Sequence, residues 1–132
     1  MCGVSRYLPE VLAVRLELFR GLKKWDLMEA VARKLTPYDP DDVQWWISWA
    51  FATRRSDSIE AARAILVKAV EQHFDVAVVH SNLACYECQL GNLELAKGHL
   101  KLSFKIKKRL RLNALDEPDL EPLWDSLGTV AD

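Results

Sequence analysis

The chain has 132 residues, 50% of them hydrophobic, which suffices to bury one compact core and excludes an intrinsically disordered segment. Its 18 basic and 19 acidic side chains leave a net charge of -1, so no overall field points toward nucleic acid or an anionic membrane. The opening stretch MCGVSRYLPEVLAV has no long apolar core, and no run approaches the roughly 18 apolar residues of a membrane span, so a single cytoplasmic domain over 1–132 without membrane insertion is expected.

Along the chain, apolar residues recur at helical spacing and strand-type alternation is hard to find, which predicts an all-α protein. A first segment, about 9–42, carries Leu16, Trp25 and Met28 and ends near Pro40. A second, 43–76, opens within DVQWWISWAFATRRSD, where Trp45, Trp46 and Trp49 crowd together, and continues into SIEAARAILVKAVEQHF, where Ile59, Ala62, Leu66, Ala69 and Val70 form one stripe. A third, 77–110, contains NLACYECQLGNLELAKGHLKLSFKIKK, with Leu93, Ala96, Leu100 and Phe104 on one stripe. Laid over each other with a shift of 34, the second and third segments superpose Ala50 on Ala84, Ile59 on Leu93, Ala62 on Ala96 and Leu66 on Leu100. The tail NALDEPDLEPLWDSL, within 111–132, reads as a capping helix: Asp119 as N-cap, Pro122 in the first turn, and Leu120, Leu123, Trp124 and Leu127 as a stripe to cover the third segment.

Antiparallel helices approach closely only where a short side chain admits the facing ridge, which is the physical role for Ala50, Ala62, Ala84 and Ala96. A helix–turn–helix unit of this length with small residues so placed resembles the tetratricopeptide repeat. In the third unit Leu83-Ala84, Gly91, Leu93 and Ala96 match the family's pattern, with Tyr86 one place before its usual tyrosine. The second keeps Trp46, Ala50, Ala62 and Ala69 but has Asp57 at the turn glycine; the first keeps Trp25 and Pro40 but has Leu16 and Met28 at small positions, which should splay that helix pair. The resemblance implies a right-handed α-solenoid of about three such units (9–42, 43–76, 77–110) plus a C-terminal capping helix, whose first helices line a concave face. It also implies a non-enzymatic interaction module or adaptor that takes a protein or peptide segment. Trp46 and Trp49 then belong to the core, while Trp45 packs on the first unit or lies partly exposed.

On that concave face the expected protein-binding residues are Glu17, Arg20, Ile47, Phe51, Arg54, Ser81, Asn82 and Cys85. Arg20 and Arg54 would form a basic ladder beside Phe51, suited to a carboxylate-bearing, partly apolar peptide. The family's clamp for C-terminal carboxylates needs lysine and asparagine in set places, and only Asn82 resembles one of them. A second candidate surface is the run Lys97, Lys101, Lys105 and Lys108, with no acid between Ala96 and Leu115; it suits an acidic protein tail or a cytoskeletal-type filament. It lacks the interleaved aromatics of a nucleic-acid surface, so nucleic acid is not an expected partner.

Chemistry is harder to assemble. Cys85 and Cys88 have the spacing of a redox dithiol or half a zinc site, but zinc needs four converging ligands and no second CxxC or HxxxH is present. A redox pair belongs after a strand at a helix start, and here the pair lies inside a predicted helix. The pair therefore reads as helix packing, and neither metal nor cofactor is expected. Three cysteines, an odd number, argue against a disulfide framework. His73, His80 and His99 fall in different parts of the repeats, the glycines are isolated, and no enzyme is expected. Self-association through an open end is the remaining alternative.

Overall fold

The computed structural model describes residues 9–129, and every regular element among them is helical. The α-helices are α1 (Pro9–Gly21), α2 (Trp25–Tyr38), α3 (Val43–Ser56), α4 (Ile59–Gln72), α5 (Ala77–Gln89), α6 (Leu93–Ile106) and α7 (Leu110–Ala114). A 3-10 segment, Pro118–Thr129, follows. None of these helices is long and apolar enough to cross a membrane.

The period of 34 is built into the backbone. Helices α1, α3 and α5 begin at 9, 43 and 77, and α2, α4 and α6 begin at 25, 59 and 93. The turns repeat as closely as the helices: Lys24 N donates to Phe19 O (2.9 Å), Ser58 N to Thr53 O (3.1 Å) and Asn92 N to Glu87 O (2.8 Å). Each bond closes a six-residue loop over the last carbonyls of the preceding helix; in the first and third units Lys23 N to Arg20 O and Gly91 N to Cys88 O complete the Schellman pair, whereas the second has Asp57 N to Thr53 O. Such a turn wants a left-handed residue, and only the third unit has glycine there. Gly91 adopts φ +85°, whereas the first unit forces Lys23 to φ +56°. Asp57, at the same place in the second unit, stays at φ -132°.

The small residues meet their expected places: Ala50, Ala62, Ala84 and Ala96 are all fully buried. So are Leu16 and Met28, the bulkier pair of the first unit.

The chain divides into two compact units, 1–65 and 66–132. In the first, α1 packs on α2 and α2 on α3 around a core of Leu12, Leu16, Met28, Ala32, Leu35 and Ala52, with Trp25, Trp45, Trp49 and Phe51 packed against it. Of the tryptophans, Trp46 is buried and donates through Nε1 to Pro40 O (2.9 Å), while Trp49 is half-buried and donates to Glu29 Oε2 (2.8 Å). Trp45 takes the first of its two expected placements, against the α1–α2 core.

In the second unit, α5 packs on α6 and also on the 3-10 segment. That double contact explains why α5 has buried residues on every side, including Val79, His80, Leu83, Tyr86 and Cys88, instead of a single stripe. The tail differs from the expected capping helix. Regular helix stops at Ala114, and Pro118 and Pro122, which have no N–H to donate, leave the chain in 3-10 turns. The side chain that meets the first free N–H belongs to Glu117, whose Oε1 accepts from Asp119 N (3.2 Å); Asp119 lies inside the segment and is not its N-cap. Leu120, Leu123 and Leu127 are buried as the stripe requires, and Trp124 Nε1 donates to Ala114 O (3.0 Å).

Candidate functional site

In the first unit, α1 and α3 bring Glu17, Arg20, Ile47 and Phe51 to one neighbourhood. Arg20 is held from two sides, by Glu17 Oε1 (Nε, 3.3 Å) and by Ser48 Oγ, which accepts from Nη2 (3.1 Å). Its guanidinium stands 5.3 Å from the Phe51 ring centroid, as a cation over a π face. The second arginine on that ring is Arg55, 3.5 Å from the centroid, with Nη1 donating to Phe51 O (3.0 Å). Arg54, expected in that role, is half-buried, and its neighbour Arg55, not named for the role, stacks on the ring. Adjacent helix positions differ by about 100° around the axis, but a long side chain can swing back across that angle, so spacing alone does not choose between them. Trp25 completes the patch, edge-on to Phe51 at 5.6 Å between centroids and 5.3 Å from the Arg55 guanidinium.

The result is a half-buried aromatic ring held among guanidiniums. Arg20 has five N–H donors and the contacts with Glu17 and Ser48 employ only part of that fork, so a carboxylate can still be bound beside an apolar surface.

On the second unit, Ser81 and Asn82 are half-buried on α5. Cys85, expected beside them as a contact residue, is 8% exposed. The 3-10 segment lies over this part of α5: Gln89 Nε2 donates to Asp119 O (2.9 Å), and the ligand atoms of Cys85, Glu117 and Asp119 lie within 4.8 Å of one another. Cys85 therefore faces the chain's own tail and is not presented to a partner. Cys88 is buried too, and its thiol pKa is raised, first by burial and then by the negative charge of Asp119. That is the opposite of the low-pKa environment of a reactive thiol.

The basic run is shorter than its spacing suggested. Lys101 and Lys105 are exposed on α6, whereas Lys97 is half-buried with Nζ 3.3 Å from Glu94 Oε2. Helix α6 ends at Ile106 and Lys107 is extended (φ -138°, ψ 100°), so Lys108 lies in the following turn and not on the helix face.

Two features were not expected from the sequence. His80, fully buried, places Nε2 2.6 Å from Phe74 O and Nδ1 3.1 Å from His99 Nδ1. Since a carbonyl only accepts, His80 donates through Nε2, and of the two facing Nδ1 atoms one donates and the other accepts. The other is an open polar cavity of about 330 Å³ in the first unit, lined by Asp26, Glu29, Arg33, Thr53, Ser56 and Asp57. Neither has a local sequence signal, because each joins residues from different helices.

Comparison with protein-family models, with curated proteins and with solved structures gives no match for this chain.

Proposed function

We propose that this chain is a non-enzymatic interaction module built as a right-handed tetratricopeptide-type solenoid of about three units. It binds an extended or helical peptide segment carrying a carboxylate beside an apolar side chain. The observation that carries this reading is the recurrence of helix starts and of six-residue turn bonds at 34 residues. Repeats of this kind make a surface of successive first helices, and surfaces of that kind serve binding. Within it, Glu17, Arg20, Ile47 and Phe51 form the contact region, with Arg54 and Arg55 as further guanidiniums. On the second unit, Ser81 and Asn82 of α5 are separate candidate contacts. The setting is cytoplasmic, and neither nucleic acid nor a cofactor takes part in peptide binding.

Selection from a random-peptide display library tests the reading. Enriched peptides should pair an acidic residue with an aromatic or aliphatic one, and Arg20→Ala and Phe51→Ala should each weaken them by about 1–3 kcal/mol. Enrichment indifferent to both substitutions would remove this surface from consideration. A second reading rests on Lys101 and Lys105: if binding were to acidic polymers and vanished with salt, the α6 face would be the working surface.

A further inference from the structure

The C-terminal segment brings two carboxylates onto Cys85 of α5. The thiol of Cys85 and the carboxylates of Glu117 and Asp119 offer three ligand atoms within 4.8 Å of one another. Cys88 lies one turn further along the same face of α5 and is 4% exposed, and its thiol makes no hydrogen bond among the described residues. The Asp119 carboxylate is close enough to act on it electrostatically. Carboxylates beside buried sulfurs repel negative charge and favour a cation.

We propose that Cys85, Cys88, Glu117 and Asp119 form a binding site for a thiophilic divalent cation of the zinc class. Two thiolates and two carboxylate oxygens make the four donors of a closed tetrahedral site, at about 2.3 Å for sulfur and about 2.0–2.2 Å for oxygen. Donors at those lengths stand roughly 3.3–3.8 Å apart, so small side-chain rotations bring the Cys85, Glu117 and Asp119 atoms to that separation, and Cys88 must turn toward them to supply the fourth donor. Calcium and magnesium prefer oxygen ligands alone and do not suit the sulfurs. The CxxC pair supplies half the site, and the other half arrives only when the tail folds onto α5. Bound metal therefore ties residues 117–119 to the helix and adds its binding energy to folding.

The test is titration of Co2+, a spectroscopic stand-in for Zn2+, into the full chain after chelator treatment. The expected result is about one equivalent bound, a sulfur-to-cobalt charge-transfer band with tetrahedral ligand-field bands, and displacement by Zn2+. Cys2→Ser should keep the band. Asp119→Asn and Glu117→Gln, confirmed helical by circular dichroism, should each weaken Co2+ by more than about tenfold. Absence of the sulfur band in the unmodified chain overturns the site, as does Co2+ affinity unchanged in Asp119→Asn. A Cys85→Ser/Cys88→Ser variant that folds and keeps the same affinity would overturn it equally, by assigning the metal to surface carboxylates.

Discussion

Lys23 carries the most readable strain in the chain. It occupies φ +56° where the equivalent turn of the third unit has Gly91. A side chain in the left-handed region costs about 1–2 kcal/mol, offset in part by the entropy glycine loses on folding. Lys23→Gly should therefore raise stability by up to about 1 kcal/mol in urea denaturation, and a loss of stability would show that the Lys23 side chain makes contacts that outweigh the strain. The histidine pair makes an opposite case. His80 is fully buried and its Nδ1 is satisfied by His99. His99→Phe keeps a planar ring but leaves the buried Nδ1 of His80 unmet, and should cost about 1–3 kcal/mol. A neutral substitution would mean that another donor reaches His80. Residue scale is also where the sequence says least: Arg54 and Arg55 lie three and four residues after Phe51 on one helix, and which guanidinium meets the ring depends on side-chain reach.

At the scale of elements, the six long helices were legible because their apolar stripes and facing alanines report a contact each helix must make. Ala50, Ala62, Ala84 and Ala96 mark the close approaches in the sequence, and all four are buried. The tail was legible only in its stripe. Leu120, Leu123 and Leu127 predicted burial, but the 3-10 turns depend on Pro118 and Glu117 acting together, and the partner helix α5 is distant in sequence. Cys85 was misplaced for the same reason, since nothing near CYEC records that a segment 30 residues later will cover it. Leu123→Ala should destabilise the second unit by about 2–5 kcal/mol and speed alkylation of Cys85 and Cys88 in chelator-treated Cys2→Ser protein. Unchanged labelling would separate the segment from the thiols. The raised pKa of Cys88 adds a pH dependence whose sign is fixed. With the folded value above the unfolded one, its contribution is complete below the ordinary thiol range and is lost as pH rises toward and through the folded value. Stability in urea should fall on that side, and a rise would contradict the assignment.

For the whole molecule, the repeat of 34 residues is written twice, once in side-chain spacing and once in hydrogen bonds that recur at 24, 58 and 92. Those two records agree because a turn of fixed geometry is what lets each alanine face its partner. The binding surface has no such redundancy. Glu17, Arg20, Ile47 and Phe51 could be placed on outward helix positions, and the Glu17–Arg20 and Phe51–Arg55 pairs are local to one helix, but the hold of Ser48 on Arg20 and the stand of Arg20 over Phe51 arise only where α1 meets α3. A repeat scaffold presenting a carboxylate-reading patch is thus the central claim. Its most direct measurement is a two-dimensional amide NMR titration of the full chain with the peptide that display selection returns. The account predicts saturable shifts that include Glu17, Arg20, Ile47 and Phe51 and that persist at high salt. Shifts confined to Lys101 and Lys105 and abolished by salt, or no shifts at all, would contradict it.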